Sequence, residues 1–372
     1  MKLVVFGLSV SSTWDNSHAT LWRGLIHALA TKGHRVVFFE RNTDDYSAHR
    51  DCFGWPNGEL ILYSDFDEIR SAAGAELQSA DVGMVSSYCP DALAATELLM
   101  TSSVDIRAFY DLDTPITLSR ITQGESVAYI GERGLRDFDI VLSYTGGPAL
   151  QQLQHMLGAR RVAPLYGADD PRLYAPKPPD PRYKADLSYL GTYARESQAA
   201  LAQLFLAPAR ERLDLTFALA GSHYPSDFAR APNIKYLGHV PPSEHSLYDC
   251  SARLNLNVTR APMVQLGYCP SGRLFEAAAS GAPLICDGWS GLSQFYEPGR
   301  ELIVAHNTQD VLDALAMSDA ELRTLSQRAR DRTLSEHTME RRADQLLDIL
   351  ANTAHAGTRE FEREAADTTR TV

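Results

Sequence analysis

MKLVVFGLSVSSTWDNSHATLWRGLIHALATKGHRVVFFE, residues 1–40, carries the alternation on which the fold rests. Residues 3–6 are a short apolar run that ends at Gly7, and residues 8–18, rich in Ser, Thr, Asn and Asp, read as loop. Leu21, Leu25, Ile26, Leu29 and Ala30 then recur at helical spacing. Gly33, tolerant of positive φ, stops that helix, and residues 35–40 (RVVFFE) read as a second buried strand. Strand, helix, strand in this order argues for a parallel sheet.

Outward from this opening the alternation continues. Strands are expected at 60–63, 81–86, 106–110, 139–143 and 161–165, with helices near 65–78, 90–101 and 147–157. Residues 169–184 (DDPRLYAPKPPDPRYK) then break the pattern with five prolines, which lack the N–H donor that a helix or sheet interior needs. The alternation restarts with strands at 187–190, 215–218, 234–237, 254–258, 283–286 and 301–304, and with helices at 195–206, 243–250, 272–280 and 308–316. Two polar-faced helices, 319–334 and 338–352, close the fold. The expected organisation is an N-terminal Rossmann-like domain (1–170), a linker (171–184), a second Rossmann-like domain (185–335), a closing helix (336–352) and a loose tail (353–372).

A length of 372 residues suits two such domains. The net charge of −12, with no basic tract, argues against nucleic acid as the main partner. Cys52, Cys89, Cys250, Cys269 and Cys286 form no CxxC pair, so neither a zinc site nor a disulfide framework is indicated, and a reducing cytoplasm is the simplest fit. The opening apolar run is too short for a signal peptide, and no stretch of about 20 apolar residues suggests a transmembrane segment.

Ligands of open α/β sheets bind at the carboxyl ends of the strands. The richest such segment is 267–287, GYCPSGRLFEAAASGAPLICD. Ser271 is a natural N-cap, and the helix start it opens would face an anion. Arg273 adds a charged fork suited to phosphate. Glu276, about one turn further in, can accept hydrogen bonds from a ribose diol. Glu276 as part of a capping box is a weak alternative, because the third position after the cap is Leu274. A solvated surface Glu is the competing reading.

Segment 270–287 resembles the donor-binding signature of group 1 GT-B glycosyltransferases, a late Glu followed by a small-Gly-x-Pro strand. The chain as a whole resembles the CgeB-like (spore-maturation-type) branch, through GLSVSSTWDNSHATLWRGL (7–25), FYDLDTP (109–115), LSYTGGP (142–148), LSYLGTY (187–193), LNVTRA (256–261) and PSGRLFEAAASGAP (270–283). The resemblance implies a GT-B fold, two Rossmann-like domains facing across a cleft with the last helix returning to the first. It implies a nucleotide-diphosphate sugar as co-substrate, no other cofactor and no metal. Glu276 then matches the residue that holds the donor ribose, and Ser271, Gly272 and Arg273 match the diphosphate-facing helix start. Gly191 and Thr192 match the small-residue loop near the phosphates, and Arg260 is a second phosphate partner. Tyr268 stands where many group 1 enzymes carry a second Glu, so retaining chemistry does not carry over.

In the first half, His18 at a helix start could bind a sugar hydroxyl or phosphate, or could be exposed beside a cap supplied by Asn16 or Ser17. Asp111 and Asp113, at the end of a strand, could take the acceptor's proton, or could form a turn before Pro115. Thr145, Gly146 and Gly147 could let a ligand approach the backbone, or form only a tight turn. Asp111-Leu-Asp113 also spells the DxD that binds manganese in the other glycosyltransferase fold, a reading disfavoured by the two α/β halves. Without a metal, charge building on the leaving diphosphate falls to Arg273, Arg260 and the helix start at Ser271. The expected partners are the nucleotide-sugar donor and a hydroxyl acceptor: glycan, lipid-linked or small molecule. A lipid-linked acceptor would leave room for a peripheral membrane habit. A nucleotide-sugar 2-epimerase of the same fold, and a binding protein that has lost catalysis, are the alternatives. A dinucleotide dehydrogenase is disfavoured because the loop after Gly7 lacks GxGxxG.

Overall fold

The computed structural model describes residues 1–14, 16–228 and 231–370, with residues from 356 onward described by backbone alone. The chain divides into two compact units, Met1–Tyr166 with the chain from Glu340 onward, and Gly167–Met339. Among the described residues, no helix is long and apolar enough to cross a membrane.

The first unit is a seven-stranded sheet built from β1 (Lys2–Gly7), β2 (Arg35–Arg41), β3 (Gly58–Tyr63), β4 (Val82–Ser86), β5 (Ile106–Asp111), β6 (Ile140–Ser143) and β7 (Val162–Pro164). Its order is β3-β2-β1-β4-β5-β6-β7, and every neighbouring pair is parallel. The central strands have helices on both faces and so cannot alternate apolar with polar. Leu3, Val4, Val5 and Phe6 are accordingly all buried, as are Val36 to Phe39 beside them. Chain order reverses between β1 and β4, so the loops after these two strands splay apart and leave the opening where such sheets bind ligands.

The second unit repeats the design with six strands: β8 (Ala185–Leu190), β9 (Phe217–Ala220), β10 (Ile234–Tyr236), β11 (Ala252–Asn257), β12 (Leu284–Asp287) and β13 (Ile303–Ala305). The order is β10-β9-β8-β11-β12-β13, again all parallel, with the reversal between β8 and β11. Its core gathers Leu187, Phe205, Phe217, Leu219, Leu254 and Ile285.

Three expectations change. The proline-rich stretch is not a free linker. The chain passes between the units at Tyr166–Gly167, and residues 171–184 belong to the second unit. Its remaining N–H groups find partners there: Lys177 N donates to Cys250 Sγ at 3.3 Å and Asp180 N to Ser251 Oγ at 2.8 Å, while Tyr174 and Tyr183 are buried. Proline blocks a ladder but not docking by side chains. The helix expected over 195–206 is present and runs on to Glu211, but it is not uniform, opening with a 3-10 turn and widening to a π turn at Ala202–Leu206. Pro208 supplies the reason, since its ring cannot donate to Leu204 and crowds that carbonyl, which a widened turn relieves. Finally, the closing helix runs over Met339–Arg370, through most of the stretch expected to be loose. Residues 353–370 contain no proline and are rich in Ala, Glu and Arg, good helix formers. Thr371 and Val372 lie outside the described residues.

Candidate functional site

In the second unit the reversal point is formed by the turn after β8 and the turn after β11. Gly191 N donates to Ala220 O at 3.0 Å, continuing the sheet one step past β8. Gly221, at φ 137°, lies so close to this turn that a Cβ on it would sit 2.0 Å from Gly191 O and 3.2 Å from Thr192 N. Thr192 follows in the same turn. Arg260 stands three residues past β11, in the N-cap position of the short helix Ala261–Leu266. A cavity of ≈ 120 Å³ opens here, lined by Ser188, Gly191, Asp249, Asn255, Ser271 and Arg273, among others. Three residues singled out from sequence thus meet at one cavity.

Ser271 caps the helix Gly272–Ala279, its hydroxyl accepting from Arg273 N at 3.2 Å. Gly272 is the first residue of that helix. The Arg273 side chain is also engaged from within the protein. Its guanidinium is held by protein: Nη1 donates to Glu276 Oε2 at 2.6 Å and to His245 Nδ1 at 2.8 Å, and Nη2 donates to Asp249 Oδ1 at 2.9 Å. Both terminal nitrogens are thus paired within the protein, while Nε is buried without a hydrogen-bond partner and Arg273 still lines the cavity. The arrangement follows from helix geometry. Arg273 and Glu276 are three apart on one helix, and His245 and Asp249 four apart on the helix Pro242–Ser251, so each pair shares a face.

The electrostatics of this group are split. Burial pushes the Glu276 carboxyl up, but the charge of Arg273 outweighs it and holds it at about 2. Asp249 is deeper, 3% exposed as a side chain against 13% for Glu276. Burial therefore dominates there and raises its carboxyl to about 6, despite Arg273. Asp249 Oδ2 is buried without a hydrogen-bond partner. Burial and the Arg273 charge lower His245. Since Arg273 can only donate, Nδ1 of His245 accepts, and Nε2 carries the proton that it donates to Val240 O at 3.1 Å.

The first unit holds a separate polar cluster at its own reversal point. Glu40, at the end of β2 and fully buried, accepts from Ser9 Oγ, Val10 N, Ser11 N and Ser11 Oγ at 2.5–3.0 Å and so shapes the loop after β1. Asn16 Oδ1 accepts from Ala19 N at 3.4 Å, which assigns the cap to Asn16. His18 lies in the first turn of this helix, and its ring lies 5.7 Å from that of Tyr88. Tyr88 follows β4 with a left-handed φ of 65°, strained for a residue with a Cβ. Its hydroxyl donates to Asp113 Oδ2 at 3.0 Å. Asp111 Oδ1 accepts from Asp113 N and Thr117 Oγ1, each at 3.1 Å, while its Oδ2 is buried without a partner. His18, Tyr88, Asp111 and Asp113 therefore form one cluster.

Gly146 and Gly147 serve packing and the turn. A Cβ on Gly146 would meet the Tyr166 hydroxyl at 1.9 Å, and Gly147 takes φ 57° before the helix Pro148–Leu157. Among the described residues, no group of three or more His, Cys, Asp or Glu side chains is arranged to hold a metal ion. The two carboxylates of the DxD stretch are engaged by Tyr88, Thr117 and the Asp113 N–H.

Burial raises Asp111 to about 6, against hydrogen bonds from Asp113 N and Thr117 that favour its charged form. A carboxyl raised on folding is destabilising once ionised, so its cost is absent below the unfolded value near 4 and complete above about 6. The melting temperature of Asp111→Asn minus that of the native chain is therefore expected to grow between pH 4 and pH 7 and then level off. A pH-independent difference would show that Asp111 is not held against its charge.

Tyr88, Glu40, His245 and Asp249 were not legible as site residues. Only the His245–Asp249 spacing offered a signal, a four-residue interval on a predicted helix.

Comparison with known proteins bears on the fold and on the second half of the chain. Residues 195–348 match the family described as glycosyl transferase-like. No curated protein matches the sequence. The structure is similar to that of sucrose-phosphate synthase from Thermosynechococcus elongatus, at TM-score 0.68 and 14% identity, over 95% of this chain and 99% of that one. It is also similar to Anabaena HepE, solved with UDP and glucose, at TM-score 0.63 and 12% identity, over 95% and 100% of the two chains. S. aureus TarM, solved with fondaparinux, α-GlcNAc-glycerol and UDP, aligns at TM-score 0.53 and 10% identity, over 76% of this chain and 58% of its own. By fold this chain has the GT-B architecture of two Rossmann-like domains.

Proposed function

We propose that this protein is a glycosyltransferase that moves a sugar from a nucleotide-diphosphate sugar to a hydroxyl acceptor without a metal, on the pattern of the CgeB-like branch. The observation that carries the donor site is the Glu276 carboxylate. It is fixed by Arg273 Nη1 at 2.6 Å, one turn into a helix whose start borders the cavity with Gly191. An ionised carboxylate there suits a ribose diol, each charge-assisted hydrogen bond contributing about 1.5–3 kcal/mol. The cavity is smaller than the ~300–1,000 Å³ of an ordinary small-molecule pocket, so it suits one part of the donor. With both terminal nitrogens of Arg273 paired within the protein, we assign the leaving diphosphate to the helix start at Ser271 and Gly272, to the Gly191–Thr192 turn and to Arg260. UDP is the favoured nucleotide, since HepE and TarM were both solved with it.

On the acceptor side we assign proton removal to Asp113, oriented by Tyr88, with His18 beside it. Asp111 supports Asp113 from behind through the Asp113 N–H. A cytoplasmic setting fits a nucleotide-sugar donor.

The test is a thermal-shift titration with UDP, GDP, TDP and ADP, with and without EDTA, on the native chain and on Glu276→Ala. A ligand at 100 times its Kd stabilises by roughly 2.7 kcal/mol. UDP is expected to raise the melting temperature in EDTA, and Glu276→Ala to abolish the shift. Stabilisation that needs a divalent cation, or that survives Glu276→Ala, removes this donor site.

A further inference from the structure

We propose that His245 and Asp249 are positioning residues for ribose recognition, acting on Glu276 through Arg273. This rests on the reading of Glu276 as the ribose ligand and adds the device that aims it. A carboxylate on an eight-residue helix has several rotamers within reach, and selecting one requires a fixed partner. Arg273 is that partner, but an arginine alone is long and flexible. Here its fork is held from a second helix: Asp249 Oδ1 accepts from Nη2 at 2.9 Å, and His245 Nδ1 accepts from Nη1 at 2.8 Å. The His245 ring is in turn set by its bond to Val240 O at 3.1 Å. Arg273 Nη1 reaches Glu276 Oε2 at 2.6 Å, and the His245 nitrogen that holds Nη1 lies 3.6 Å from that oxygen. The Tyr174 hydroxyl also hydrogen-bonds the Glu276 carboxylate, and together these partners set the plane that the carboxylate presents to a ligand.

The geometry has a chemical consequence. Neutral His245 is the only one of these groups that accepts from Arg273 without adding negative charge. It therefore fixes the guanidinium without competing with Glu276 for the ribose hydroxyls. Asp249 balances the second half of the fork's charge, so Arg273 does not neutralise Glu276 alone.

Loss of the clamp should weaken contacts to the ribose hydroxyls more than contacts to the rest of the nucleotide. A purely structural role would weaken both together. Dissociation constants of UDP and of 2′,3′-dideoxy-UDP, measured by calorimetry on the full chain, separate the two. The native protein is expected to prefer UDP by about 150-fold or more, the lower end of what two charge-assisted hydrogen bonds contribute. Glu276→Ala should remove the preference. His245→Leu and Asp249→Asn should each reduce it to about tenfold or less while leaving dideoxy-UDP binding within about twofold. His245→Gln, which offers an acceptor oxygen to Arg273, should recover much of it. If Glu276→Ala keeps the preference, or the native chain has none, the ribose reading itself fails and the clamp with it. If Glu276→Ala loses the preference but His245→Leu and Asp249→Asn weaken both ligands equally, the donor site stands and the positioning role is overturned. Asp249→Asn is the safer of the two variants for folding, since it keeps side-chain volume and the accepting oxygen.

Discussion

Arg273→Ala is expected to lower the stability of the protein by about 3–5 kcal/mol near neutral pH. This is the cost of stranding buried charge when one partner of an ion pair is removed. Here two carboxylates are stranded at once, Asp249 and Glu276, both buried. The unit that holds them, Gly167–Met339, is of a size at which each kcal/mol shifts the melting temperature by roughly 2–4 °C. A fall of about 10 °C is expected at pH 7.5. The pH dependence gives the cause. In the native chain Glu276 is depressed to about 2, so its contribution is present above the unfolded value near 4 and is lost only as pH falls through about 2. Without Arg273 both carboxyls rise above their unfolded values, and the variant is penalised progressively as pH increases through and beyond 4. The gap between the two proteins should therefore widen from pH 4 to pH 7. A gap that is small, or constant with pH, would mean that Arg273 is not the counter-charge of this pair. Arg273→Lys restores charge but not the fork, and should recover only part of the loss.

Gly221→Ala is the second large effect, and its origin is steric. At φ 137° the backbone of Gly221 occupies a region that residues with a Cβ rarely enter, and the added atom would meet Gly191 O at 2.0 Å and the Gly191 carbonyl carbon at 2.6 Å. Neither can rotate aside, because both are backbone. Strain at such a position costs about 1–3 kcal/mol, and overpacking another 1–3. A total near 3 kcal/mol is expected, with displacement of the Gly191–Thr192 turn and loss of UDP affinity by at least about tenfold. Gly238→Ala is the control. Gly238 has a φ of 67°, but its Cβ would meet nothing within 4 Å, so only the backbone cost of about 1 kcal/mol applies. Equal melting temperatures and equal UDP affinities for the two variants would sink the role given to close packing at this turn.

Much of the architecture was legible because its causes are local. Runs such as Leu3–Phe6 and Val36–Phe39 are apolar at every position, which only a strand buried on both faces tolerates, and the helical spacing of Leu21 to Leu29 between them requires a crossover. The helix start at Ser271 and the strand after Gly281 were equally local, a cap residue followed by good formers and a glycine at φ 73°.

What a chain segment does with its charges is not local. Arg273 reads in sequence as a phosphate fork. Tertiary packing also pairs it within the protein, because Asp249 and His245, more than twenty residues earlier, face it from another helix. The proline-rich stretch reads as a linker from its missing donors, yet Cys250 and Ser251, some seventy residues later, decide that it docks on the second unit. Tyr88 shows no motif, and its role at Asp113 exists only because β4 and β5 lie side by side and a left-handed turn aims the ring. By itself the sequence determined the parallel sheets, their helices and the segment that carries Glu276, since hydrophobic periodicity and capping act over a few residues. Only the tertiary structure decided which ionisable groups share a charge and how deeply each is buried. Coulombic attraction and desolvation depend on distance in space, not on distance along the chain.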